Sequence, residues 1–85
     1  MKLVFTQLSW EDYLLWLNTD KQKFNRINEL LKDIARNPNE GIGKPEPLRF
    51  NYSGFWSRKI DEEHRLIYRV IEDEIQISKF RFHYD

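Results

Sequence analysis

Glu46, Arg65 and His83 are the side chains of this sequence that could together handle a phosphodiester. Breaking such a bond in RNA without a metal needs three groups. A base takes the 2′-hydroxyl proton, an acid protonates the departing 5′-oxygen, and a cation holds the charge gathering on the phosphate. Glu46 lies between two prolines in Lys44-Pro45-Glu46-Pro47, where fixed φ angles stiffen the backbone. That suits a carboxylate that must point at one atom, and it also suits an ordinary solvated loop carboxylate. Arg65 offers a planar guanidinium that matches phosphate geometry. His83 can donate a proton near neutral pH. Taken singly, Arg65 fits a solvated strand face and His83 an exposed chain end. His64 opens a strand, and we expect it to be structural, hydrogen-bonded near a turn.

These residues need a scaffold. Lys2 to Thr6 reads as a short strand. Ser9 is the expected N-cap of a first helix, with Asp12 three residues on as in a capping box. Trp10, Tyr13, Leu14 and Leu17 form its apolar stripe. Thr19-Asp20 breaks this helix and caps a second one, whose buried stripe is Phe24, Ile27, Leu31 and Ile34; Asn37-Pro38 ends it. Residues 37–47 carry three prolines and two glycines and form a loop with fixed corners. Short strands are expected at Leu48–Phe50, Phe55–Ile60, His64–Ile71 and Ile75–Tyr84, with turns at Asn51–Gly54, Asp61–Glu63 and Glu72–Glu74. The predicted class is α+β, a single domain over 1–85: β-α-α, then a four-stranded antiparallel β run, with the helices packed on one sheet face.

The last hairpin bears on function through its register. A two-residue loop at Glu72-Asp73 would set Arg65 opposite Phe80. A three-residue loop sets Arg65 opposite Arg81, Leu66 opposite Phe80 and His64 opposite Phe82. Only the longer loop sorts the faces. Leu66, Tyr68, Val70, Phe80, Phe82 and Tyr84 then face the helices, and Arg65, Arg69, Arg81 and His83 make a basic opposite face. The longer loop is therefore the expectation. Tyr84, at the chain end, could instead turn its ring towards a nucleotide.

Bulk composition narrows the classes. Fourteen basic and fourteen acidic residues give zero net charge, so a bulk electrostatic grip on nucleic acid is not indicated. The stretch Lys44–Arg69 does hold six basic against four acidic residues. The absence of cysteine excludes disulfides and thiolate metal sites. Two histidines cannot build a His-rich zinc site, and no motif supports a carboxylate one, so neither metal nor cofactor is expected. The apolar run at the N-terminus is too short for a signal peptide or membrane span. A cytosolic protein with no membrane partner is the expectation.

Four blocks carry a resemblance to a known family. Gly41-Ile42-Gly43-Lys44-Pro45-Glu46-Pro47-Leu48 resembles the G-x-G-K-P-E-P-L loop of the YoeB (Txe) toxins, within the wider RelE-like group. Ser53–Ile60 resembles their S-G-[FY]-W-S-R-R-I strand, Glu63–Tyr68 their E-H-R-L-[VI]-Y strand, and Phe82-His83-Tyr84 their terminal aromatic-His-Tyr. The blocks agree in order and spacing over nearly the whole chain. The resemblance implies a RelE-like fold and an endoribonuclease that cuts mRNA in the A site of the bacterial ribosome, in the bacterial cytoplasm. It implies Glu46 as general base, His83 as general acid and Arg65 as phosphate stabiliser. Tyr84 would place the substrate, with Arg49 and Lys59 adding positive charge. It also implies a cognate antitoxin as partner, operator DNA bound only through the antitoxin complex, and frequent homodimers. Lys59 stands where the family pattern has Arg, which keeps charge but loses bidentate contact. Asp85 follows the Tyr, and its carboxylate should favour the protonated His83 imidazole. Three other readings compete: a catalytically inactive relative acting by protein binding, a ParE-like protein directed at gyrase, and an RRM-like single-strand binder. The last would need its stacking aromatics on the open sheet face.

Overall fold

The computed structural model of the chain describes residues 1–82. Strand β1 (Lys2–Phe5) leads into helices α1 (Gln7–Thr19) and α2 (Lys21–Arg36), and four strands follow: β2 (Glu46–Pro47), β3 (Trp56–Lys59), β4 (Arg65–Ile71) and β5 (Glu74–Lys79). The sheet order is β1-β5-β4-β3-β2. The last four strands pair antiparallel, as expected, and β1 adds to β5 in parallel. The expected strand at Leu48–Phe50 is not one. The chain pairs two residues earlier, at Glu46–Pro47, and Phe50–Tyr52 turns as a single 3-10 helix. No helix among the described residues is long and apolar enough to cross a membrane.

Both helices lie on one face of the sheet. Ile27, Leu30, Leu31 and Ile34 of α2 and Trp16 of α1 pack against Leu66, Tyr68, Ile75, Ile77 and Phe80, all buried. Asp20 both closes α1 and caps α2, its carboxylate accepting from Lys23 N–H at 3.2 Å. The start of α1 differs from expectation. Thr6 is the N-cap, its hydroxyl accepting from Ser9 N–H, and Ser9 lies inside the first turn. The buried side of α1 is Ser9, Asp12 and Trp16, while Trp10 and Leu17 are exposed. The apolar periodicity misled because two of the inward positions are polar for a reason. Asp12 takes a backbone N–H of Phe80 at 3.0 Å that leaves the sheet unpaired, and a buried amide needs such a partner.

The final hairpin reaches the expected register by another route. Its loop is the two-residue turn Glu72-Asp73, with Ile71 opposite Glu74 and Glu72 at φ +54°. The three-residue loop is thus wrong. A β-bulge then shifts the pairing by one, from Tyr68 opposite Ile77 to Ile67 opposite Lys79. Bulges re-aim side chains in this manner. Beyond it Leu66, Tyr68 and Phe80 enter the core as predicted, whereas Val70 and Phe82 are exposed. Tyr84 and His83 lie outside the described residues.

Candidate active site

Register alone gathers the open-face residues. Glu46 pairs with Ser57, Ser57 with Ile67 and Lys59 with Arg65. Residues paired across strands share a face, as do positions two apart along one strand. Glu46, Ser57, Lys59 and Arg65 therefore project from the face opposite the helices. With Lys44 they line one cavity of about 190 Å³. A second cavity, about 390 Å³, continues past Glu46 along Pro47, Leu48, Arg49 and Phe50. Glu46 thus sits at the junction of two hollows, with Lys44, Lys59 and Arg65 on one side and Arg49 on the other. Four cations around one exposed carboxylate make a local field that zero net charge conceals.

Each group is held from beneath. Glu46 follows the loop 37–45, and that loop is wrapped around a buried guanidinium. Arg58, fully buried, donates from Nη1 to Asp33 Oδ2 at 2.7 Å and to Ile42 O at 2.8 Å. Its Nη2 reaches Asn37 O at 2.9 Å and Glu40 O at 3.3 Å, and its Nε reaches the Tyr68 hydroxyl at 3.1 Å. Tyr68 in turn donates to Pro38 O. Asp33 also accepts from Ile42 N–H and from Arg36. The Arg58 hydrogen bond, followed by the Ile42 amide, holds the Asp33 carboxyl below its ordinary value of 3.8. Burial pushes the Tyr68 hydroxyl up. Gly41 passes so close that a Cβ there would stand 1.8 Å from Asp33 Oδ2, and its φ of +135° suits only glycine. Lys59 N–H then donates to Gly43 O at 2.6 Å, fastening the loop to β3 directly beside the cavity.

The cations are oriented as well. Arg65 Nη1 donates to Asp61 O at 2.7 Å and His64 O at 3.1 Å. With the longer contact to Glu62 O at 3.4 Å, three carbonyls hold this end of the guanidinium in advance of any ligand. Lys59 Nζ lies 2.7 Å from Glu62 Oε1, an exposed partner, and such pairs contribute little stability. A phosphate can take the place of Glu62. Arg69, on the same face, is held to Gln76 at 3.0 Å.

Sequence reasoning named Glu46, Arg65, Lys59 and Arg49, and the fold brings the first three into one cavity with Arg49 adjoining. It did not name Lys44 or Ser57, nor the positioning pair Arg58 and Asp33. A signal for Arg58 was present. Strand alternation puts it on the same face as Trp56 and Ile60, and a cation on a core face demands a buried partner.

The chain matches the family of YoeB-like toxins of bacterial type II toxin-antitoxin systems over residues 5–84. It belongs to that family. The YoeB toxin of Escherichia coli K12 is 57% identical over 84 residues, which span 99% of this chain and 100% of that one. Among solved structures, a YoeB/ParE toxin from Agrobacterium tumefaciens superposes with a TM-score of 0.96 at 45% identity, covering 99% of this chain and 100% of that one. The YoeB-YefM complex from Staphylococcus aureus contains a chain that superposes at 0.90 with 44% identity, covering 99% and 98%. In this YoeB-like toxin the loop, β3 and β4 blocks are the segments that build the cavity.

Proposed function

We propose that this YoeB-like toxin is a ribosome-dependent endoribonuclease that cuts mRNA in the A site and so halts translation in the bacterial cytoplasm. The carrying observation is the single cavity lined by Glu46, Lys59 and Arg65. In this reading Glu46 removes the proton of a 2′-hydroxyl, whose oxygen attacks the adjacent phosphorus. The bond from phosphorus to the 5′-oxygen breaks, and His83 supplies the proton to that oxygen. Arg65, pre-oriented by carbonyls, stabilises the charge on the phosphate oxygens, and fixed donors of this kind are worth most when they need no reorganisation. Lys59, Lys44 and Arg49 extend the positive surface along the strand, and Tyr84 places the substrate. The side chains thus supply base, acid and cation without a metal.

Zero net charge favours dependence on a ribosome that presents the message, since a free chain has little long-range pull on RNA. The Staphylococcus complex supports a cognate antitoxin as inhibitory partner, with operator DNA reached through that complex. Translation in vitro of a defined mRNA, with 5′ ends mapped near the start codon, tests the proposal. Cutting that Glu46→Ala and His83→Ala each strongly reduce is expected. Intact RNA with inhibition of gyrase would refute the proposal, and unchanged cutting by both variants would refute the mechanism.

A further inference from the structure

We propose that His64 is a positioning residue whose neutral imidazole latches the backbone at Phe82, and thereby sets the stretch that leads into His83. The inference rests on the reading of His83 as the acid. His64 is buried, and its Nδ1 accepts the Phe82 N–H at 2.8 Å. Phe82 O accepts from Arg65 N–H at 3.1 Å, so both backbone groups of Phe82 are taken up around His64 and Arg65. One residue pair earlier, α1 makes the matching grip. Asp12 Oδ2 accepts Phe80 N–H and Trp16 Nε1 donates to Phe80 O, both at 3.0 Å. The His64 ring stands edge-on to Trp16, centroids 5.0 Å apart, and 5.5 Å from the Phe82 ring. Phe82 has φ +61°. That conformation is unfavourable for a bulky residue and persists only where neighbours impose it.

An imidazole nitrogen accepts a hydrogen bond only while it carries no proton. The latch therefore exists for the neutral ring with hydrogen on Nε2, which lies 3.5 Å from Glu63 Oε1. The other charged groups around it are Asp61, Lys23 and Arg65, while α1, packed on the ring through Trp16, carries Asp12. Asp61 accepts His64 N–H and pairs with Lys23 of α2 at 2.9 Å. Arg65 Nη1 rests on His64 O, and Asp12 reaches from α1. Protonation of Nδ1 sets two N–H donors against each other and opens the latch.

The test is NMR on the ¹⁵N-labelled wild-type chain, following the Phe82 amide and the His64 ring from about pH 8 to about pH 5. The Phe82 amide is expected to shift, and to lose exchange protection, with the midpoint of the His64 ring. His64→Asn puts an acceptor oxygen near the place of Nδ1, and should keep the amide protected with no step. His64→Leu should lack protection throughout. In the ribosome cleavage assay, His64→Leu should lower kcat by about 10²-fold with KM little changed, as misplacement of a reacting group does. His64→Asn should recover most of that loss. A Phe82 amide indifferent to the His64 titration overturns the proposal. So does a folded His64→Leu chain with wild-type kcat. If the wild type cuts no RNA, the nuclease reading fails, and the amide titration still decides the latch.

Discussion

Replacing Arg58 by methionine tests how the loop that leads to Glu46 is held. The substitution keeps an unbranched side chain in a fully buried site and deletes all five hydrogen bonds made there. Three of those bonds end on loop carbonyls, of Asn37, Glu40 and Ile42, which would be left without their donor. Removing one partner of a buried ion pair costs about 3–5 kcal/mol, because the remaining charge stays buried and unmet. A chain of 85 residues has roughly 4–13 kcal/mol of total stability at the usual value per residue. The loss is thus a large share of the whole, and should lower Tm by about 12–40 °C at this size. Thermal unfolding followed by circular dichroism measures it. Arg58→Lys should recover little, since one ammonium cannot span five acceptors spread across the loop and Tyr68. Adding Asp33→Leu to Arg58→Met should restore part of the Tm by removing the stranded carboxylate, but the loop carbonyls should keep the recovery incomplete. A drop below about 4 °C, the smallest shift that 1 kcal/mol gives at this size, would refute the claim that this guanidinium organises the loop. So would a double variant no more stable than Arg58→Met.

Three further outcomes follow from the same geometry. Glu46→Gln keeps size and hydrogen bonding but cannot take a proton, and should lower the rate of ribosomal cleavage by about 10²–10⁴-fold with Tm unchanged, as single-turnover kinetics and calorimetry would show. Lys59→Arg restores a bidentate fork beside Arg65 and should raise kcat/KM a few-fold, whereas equal rates would mean that this position supplies charge alone. Asp33 is held below its ordinary 3.8 by Arg58 first and then the Ile42 amide, so the folded chain binds fewer protons there than the unfolded one. Its contribution is complete above that value and is lost as pH falls through the lowered one; denaturation between about pH 5 and pH 2 should show a steep acid limb that Asp33→Asn flattens.

The open-face half of the site was readable because strand alternation and turn spacing are local rules. Arg65 and Arg69 fall on one face by counting, and the Pro-Glu-Pro corner marks a stiffly held carboxylate that an ordinary solvated loop would also explain; Lys59 came only with the family resemblance. What escaped were the polar and irregular features set by contact between distant segments. The bulge at Ile67/Tyr68 leaves no mark of its own, so a register correct beyond it was attributed to the wrong turn. The inward face of α1 was misread because Asp12 is buried by what it binds, a backbone amide 68 residues away. β2 was displaced from Leu48–Phe50 because Leu48 and Phe50 look like a strand, yet Phe50 is left at φ +56° in a turn and is almost fully exposed.

Those missed contacts share a logic that ties the site to the core. Arg58, Asp33 and Tyr68 fix the loop before Glu46, and Asp12, Trp16 and His64 fix the stretch that ends at Phe82. Both sets are buried polar groups reaching backbone atoms of segments that carry little regular pairing of their own. A hydrophobic core alone would leave these segments free, since apolar contact is not directional. Hydrogen bonds to named backbone atoms are directional, and each leaves an unmet buried group if broken. Movement of either segment therefore meets a graded penalty at several atoms, not a single contact. The consequence is that the two segments can be perturbed separately. A loop variant at Arg58 should move the melting curve and Glu46 together, while a His64 variant should spare most of the core, because Asp12 and Trp16 still hold Phe80.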